Sequence, residues 1–138
     1  MSETTPKTRI LFVCVENSNR SQMAEAFARM HGGDATDAHS AGSRPSGRVN
    51  PRAVRFMAER GYDLTAHASK SLDGFNGGEV AVAVTMGCGD YCPLVRAARR
   101  EDWNIPDPKD LSDDGFREIR DLIERKVKDL LASISGRA

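Results

Sequence analysis

Two stretches of the chain are apolar almost without interruption. Arg9 to Val15 reads RILFVCV, and Glu79 to Met86 reads EVAVAVTM. Short runs of this kind, with β-branched members, predict strands buried on both faces, as in a parallel sheet. Other stretches keep a helical period. After Arg20 and Ser21, Met23, Phe27 and Met30 share one face, and Ala24, Ala26 and Ala28 add helix propensity. Gly32 and Gly33 end this helix. Asn50 followed by Pro51 predicts a second helix start, with Val54, Met57 and Ala58 facing inward and Gly61 as the stop. Ser112, Asp113 and Asp114 open a long third helix, acidic at its positive end. Its inward face is Phe116, Ile119, Ile123, Val127, Leu130 and Ile134. A weaker strand is expected over Ala38 to Gly42 and a short last one over Trp103 to Pro106. Ser40 to Val49 and Gly87 to Arg100 read as loops. Strands alternating with helices predict one α/β domain over residues 1–138 with a mainly parallel sheet.

Composition narrows the functions available. Hydrophobic residues at 39% and charged residues at 29% describe a globular chain rather than a disordered one. Twenty basic and twenty acidic residues cancel, which argues against a general nucleic-acid binder but permits a local anion site. No apolar run is long enough for a bilayer, so no membrane partner is expected. Met1 to Thr8 lacks the apolar core of a signal peptide, and the expected compartment is the cytoplasm, where thiols stay reduced. The three cysteines, Cys14, Cys88 and Cys92, therefore read as reactive thiols or metal ligands rather than as a disulfide scaffold.

Cys14 lies near the end of the first strand, and Arg20 follows after five residues, where a helix begins. In α/β sheets ligands bind beyond the carboxyl ends of strands. Backbone N–H groups along Val15, Glu16, Asn17, Ser18, Asn19 and Arg20 can curl around a tetrahedral oxyanion, aided by the positive helix end. Arg20 can fork two donors onto its oxygens. Such a field favours the thiolate, the form of cysteine that attacks. Ser21 is placed to donate its hydroxyl to the sulfur, and Asn17 to hold the loop by side-chain bonds to the backbone.

Cys88 and Cys92 follow the second strong strand in MGCGDYCP, on the sheet edge expected for Cys14. Gly87 and Gly89 make the segment pliable. Three residues separate the pair, a spacing that lets two sulfurs meet on a helical turn. A structural zinc site would need four ligands, and His31, His39 and His67 are scattered, so redox pairing is favoured over metal binding; inert thiols remain an alternative. Asp107, in IPDP, has a backbone preset by its prolines. It can be a general acid, although any Asp-Pro can equally be a plain turn residue.

The segment FVCVENSNRSQMAEAF resembles the active-site loop of the low-molecular-weight tyrosine phosphatase superfamily, and its Arg-Ser-Gln-Met-Ala run is similar to the arsenate reductase branch. HSAGS at His39 to Ser43, NPRAV at Asn50 to Val54, the Cys88 and Cys92 segment, and WNIPDP at Trp103 to Pro108 are similar to that branch in the same order. The chain departs from many relatives at Glu16, where they carry glycine, and at Asn19, where thioredoxin-coupled relatives often carry a further cysteine. The resemblance implies a four-stranded parallel sheet flanked by helices. It implies Cys14 as nucleophile, Arg20 as oxyanion clamp, Ser21 as thiolate stabiliser, Asp107 as proton donor, and Cys88 and Cys92 as a redox relay. It further implies arsenate as substrate, with phosphate or sulfate as mimics, and thioredoxin as the usual reductant, another thiol remaining open. No cofactor or metal is expected. The alternatives are a tyrosine phosphatase using the same loop, a reductase in which a small thiol replaces the relay, and a non-catalytic binder of trivalent metalloids.

Overall fold

The computed structural model describes residues 7–14, 17–42, 44, 46–71, 79–86 and 96–135. Strand β1 (Thr8–Val13) is followed by helix α1 (Arg20–Gly32), strand β2 (Thr36–Ala41) and helix α2 (Pro51–Ala58). Strands β3 (Glu79–Thr85) and β4 (Arg96–Asp102) and the long helix α3 (Asp113–Ser135) complete the order. The sheet has four strands in the order β2-β1-β3-β4, every neighbouring pair parallel. The α/β architecture with a parallel sheet and flanking helices is thus the observed one.

β1 is central because both its faces are apolar. Ile10 and Phe12 point into the main core with α1 and α3 residues, while Leu11 and Val13 join a second cluster with Ala41 and Ala83. All four side chains are fully buried. Chain order places β2 on one side of β1 and β3 on the other, so the order of winding reverses at β1. Cys14, one residue past the end of β1, stands at that switch point, where α/β sheets place ligands.

The three helices fall where their signals predicted. Asn50 caps α2, its side chain accepting from the Arg52 N–H at 2.8 Å, with Pro51 in the first turn. Gly61 follows in the left-handed region at φ 81°. The predicted inner stripe of α3 is buried from Phe116 to Leu130, with Ile134 half-buried against it.

Two expectations are corrected. The last strand is not Trp103 to Pro106 but Arg96–Asp102, RAARRED, whose first five residues fall in the stretch expected to be a loop. Among the described residues β4 is an edge strand; it pairs with β3 and leaves most of its side chains in solvent, so it needs no apolar alternation. Its charges suit an unpaired edge, where they discourage pairing with another chain. Trp103 and Ile105 instead form a buried extended segment after it, started by the Trp103 N–H on the Thr85 carbonyl at 2.8 Å. On α2 the inward face is Ala53, Phe56 and Met57, not Val54, Met57 and Ala58. Phe56 turns inward to pack on Phe116 of α3, ring centroids 5.0 Å apart, and this rotates the helix from the face its smaller residues suggested.

Candidate active site

β1 delivers Cys14 to the sheet edge, 3% exposed, and the Cys14 N–H is paired with the Ala41 carbonyl at 3.2 Å. The next described residue, Asn17, has φ 50°, a left-handed conformation that asparagine tolerates better than most residues. Its side chain secures that turn. Nδ2 donates to Ser21 Oγ at 2.8 Å, and Oδ1 accepts from Gln22 Nε2 at 3.0 Å and from the Lys70 N–H at 2.7 Å.

Ser21 Oγ lies 2.9 Å from Cys14 Sγ. With Oγ accepting from Asn17, its single hydrogen is free to be given to the sulfur.

Arg20 opens α1 and is 8% exposed. Its Nη1 donates to the Met86 and Ile105 carbonyls, both at 2.9 Å. These two bonds use both Nη1 hydrogens, so the Nε–Nη2 edge is the fork left for an oxyanion. The anchors tie Arg20 to the segment after β3 and to the buried segment after β4. Nη2 faces Asp107 Oδ2 at 3.9 Å. Asp107 caps the short turn Pro108–Asp110, its Oδ1 accepting from the Lys109 N–H at 3.1 Å, and its side chain is 44% exposed. The carboxyl thus stands open to water, beside the Arg20 guanidinium.

Behind the loop lies a buried network that sequence reasoning did not assign. Gln22 shares its two Nε2 hydrogens among three acceptors: Asn17 Oδ1, the Asn17 carbonyl at 3.0 Å and the Ala68 carbonyl at 2.9 Å. Its Oε1 therefore accepts, and His67 Nδ1, 2.9 Å away, carries the proton. His67 Nε2 then accepts from Tyr62 O–H at 2.6 Å. Burial, with the nearby Arg29 and Lys70 charges, pushes His67 below its usual pKa despite the opposing Glu25, so a neutral ring suits the network. Glu25 is 3% exposed. Burial alone would raise its pKa, but the Ser40 hydroxyl at 2.6 Å, the positive charge near it and the Arg29 bonds at 2.7 and 2.9 Å bring it below the usual carboxylate range. The signal for this network was faint: Glu25 recurs on the buried side of α1, and His67 and Lys70 lie in an irregular segment where spacing says nothing.

The structure thus brings Cys14, Ser21, Arg20 and Asp107 to one place, with Asn17 bracing the turn. Ser18 is tied in through its carbonyl, which accepts from the Asn50 N–H at 3.0 Å. Asn19 occupies the cap position of α1 without a side-chain capping bond, and its carbonyl accepts from the Met23 N–H at 3.0 Å. Val15, Glu16, Cys88 and Cys92 lie outside the described residues.

The chain is similar to known proteins over nearly its whole length. Residues 9–137 match the model of the low molecular weight phosphotyrosine protein phosphatase family. The chain is 36% identical over 130 residues, covering 92% of itself and 98% of the relative, to the glutaredoxin arsenate reductase of Synechocystis sp.. It is similar, at TM-score 0.85 and 36% identity, to the structure of an arsenate reductase in the phosphate binding state, covering 93% of this chain and 99% of that one. A thioredoxin-dependent arsenate reductase of Corynebacterium glutamicum is similar at TM-score 0.77 and 28% identity, over 96% of this chain and 64% of that one.

Proposed function

The chain belongs to the low molecular weight phosphotyrosine protein phosphatase family, and on that premise we propose that it reduces arsenate to arsenite. The observation that carries this reading is the meeting of Cys14, Ser21, Arg20 and Asp107 in a chain so similar, over nearly its whole length, to proteins named arsenate reductases. Arsenate is tetrahedral and enters the loop as phosphate would, with sulfate as a further mimic. The Nε–Nη2 edge of Arg20 and the positive end of α1 hold its oxygens. One of them faces Asp107.

The Cys14 thiolate attacks arsenic, and one oxygen leaves as water with a proton from Asp107. This forms an S–As bond with arsenic still pentavalent. The Cys88 thiolate then attacks Cys14 Sγ. The S–As bond breaks with its electron pair going to arsenic, arsenite departs, and a Cys14–Cys88 disulfide remains. Cys92 attacks Cys88, frees the Cys14 thiolate and leaves a Cys88–Cys92 disulfide. An external dithiol protein, thioredoxin or one of similar chemistry, returns two electrons. The reaction asks nothing of a metal or organic cofactor and runs in the cytoplasm, where the three thiols begin reduced.

Steady-state arsenite production is the test, with thioredoxin and its reductase, glutaredoxin with glutathione, and glutathione alone supplied in turn. Turnover is expected with a dithiol protein. Aryl phosphate hydrolysis without arsenite production under any reductant would convert the reading to a phosphatase. Arsenite binding without either turnover would convert it to a metalloid binder.

A further inference from the structure

Arg52 stands in the first turn of α2, outside the anion loop and half-buried. Its guanidinium lies 4.8 Å from the Phe116 ring centroid and 5.8 Å from that of Phe56. This stacking restrains the plane of the group. In that plane Nη1 donates to the Lys109 carbonyl at 3.1 Å, and Nη2 to Asp113 Oδ1 at 3.1 Å. Both acceptors belong to the segment that leads from Asp107 into α3. The N–H of the same Lys109 donates to Asp107 Oδ1. A continuous run of contacts therefore leads from the Phe56–Phe116 core through Arg52 and Lys109 to the carboxyl facing Arg20.

The start of α2 also reaches the other half of the site. The Asn50 N–H holds the Ser18 carbonyl of the loop, while Asn50 Oδ1 caps the Arg52 N–H. One helix end thus touches both the loop that holds the anion and the turn that holds the proton donor. Asp107 needs such a hold, because its side chain is 44% exposed and is confined little by packing. Misplacing a reacting group by roughly 1 Å can cost about a hundredfold in rate.

We propose that Arg52 is a positioning residue for arsenate reduction, acting through the Lys109 turn to keep Asp107 at the mouth of the loop. This rests on the reading of Asp107 as proton donor. The test is single-turnover arsenite formation by the fully reduced full-length chain, with no external reductant. The parent is compared with Arg52→Ala, Arg52→Lys, Asp107→Asn and the Arg52→Ala/Asp107→Asn double variant. Asp107→Asn should slow the reaction about a hundredfold or more, as loss of a general acid does. Arg52→Ala should slow it about tenfold, and Arg52→Lys should recover most of that loss, since an ammonium can still donate to the Lys109 carbonyl. In the Asp107→Asn background Arg52→Ala should change the rate by less than about twofold, the non-additivity expected of one acting through the other. Phosphate inhibition should stay at the parent value in Arg52→Ala.

Additive losses in the double variant, or phosphate binding weakened as much as the rate, would overturn the proposal and leave Asp107 in its role. A parental rate in Asp107→Asn would instead remove Asp107 from the mechanism and this inference with it. Where Arg52→Ala does not fold, Arg52→Met fills the space over the rings without a donor and carries the same comparison.

Discussion

Replacing Asn17 tests the bracing of the loop directly. The side chain makes three hydrogen bonds, to Ser21 Oγ, Gln22 Nε2 and the Lys70 N–H, and the residue is fully buried. At about 1 kcal/mol net for each bond, their loss costs about 3 kcal/mol. Asparagine and alanine both hold a β-carbon at φ 50°, so that strain is common to parent and variant. Asn17→Ala should therefore lose roughly 3 kcal/mol, a large share of the 5–15 kcal/mol typical of a domain. Asn17→Gly loses the same bonds but escapes the left-handed penalty, so it should fall about 1 kcal/mol short of the alanine loss. Urea unfolding followed by circular dichroism and Trp103 fluorescence measures both. With a slope of about 1–3 kcal/mol per molar, the midpoint of Asn17→Ala should move by more than about 1 M. Activity should fall with stability, because Ser21 loses the partner that turns its hydrogen toward Cys14. A glycine variant as stable as the parent would show that the three bonds contribute nothing. Equal alanine and glycine midpoints would refute the left-handed strain.

Cys14→Ser should abolish arsenate reduction and aryl phosphate hydrolysis together, both measured by product release, since both need the same nucleophile; residual turnover near the parent rate would exclude Cys14. Cys88→Ser and Cys92→Ser should each stop multiple-turnover reduction while sparing slow aryl phosphate hydrolysis. Peptide mapping should find a trapped Cys14–Cys88 disulfide after one turnover only in Cys92→Ser. Stability should carry the sign of Glu25. Its pKa is lowered on folding, so the folded state gains from its charge above the ordinary value of 4.5 and loses that gain as pH falls below it. The stability of Glu25→Gln, from urea midpoints across this range, should be lower at neutral pH and fall less steeply on acidification; a parental slope would remove Glu25 as a source.

The positions of the elements were largely legible in the chain, because burial on both faces of β1 and β3 and on one stripe of α3 leaves periodic apolar patterns. So was the core of the site: Cys14, Arg20 and Ser21 fall within eight consecutive residues, where local spacing dictates proximity. β4 was not legible, because an edge strand bonds through its backbone and leaves its arginines and acids in water. Asp107 could be named only by resemblance, since it lies far along the chain from Arg20 and any Asp-Pro makes a plausible turn. The fold alone brings it within 3.9 Å of that guanidinium, through two carbonyls that clamp Nη1. The network from Asn17 through Gln22 to His67 and Tyr62 likewise belongs to tertiary structure. Its members come from the loop, from α1 and from the irregular segment after α2, and hydrogen bonds between such distant groups leave no period in a sequence. Local spacing determines which groups can act together on one turn, whereas the packing of α2 and α3 on the sheet decides which remote groups join them.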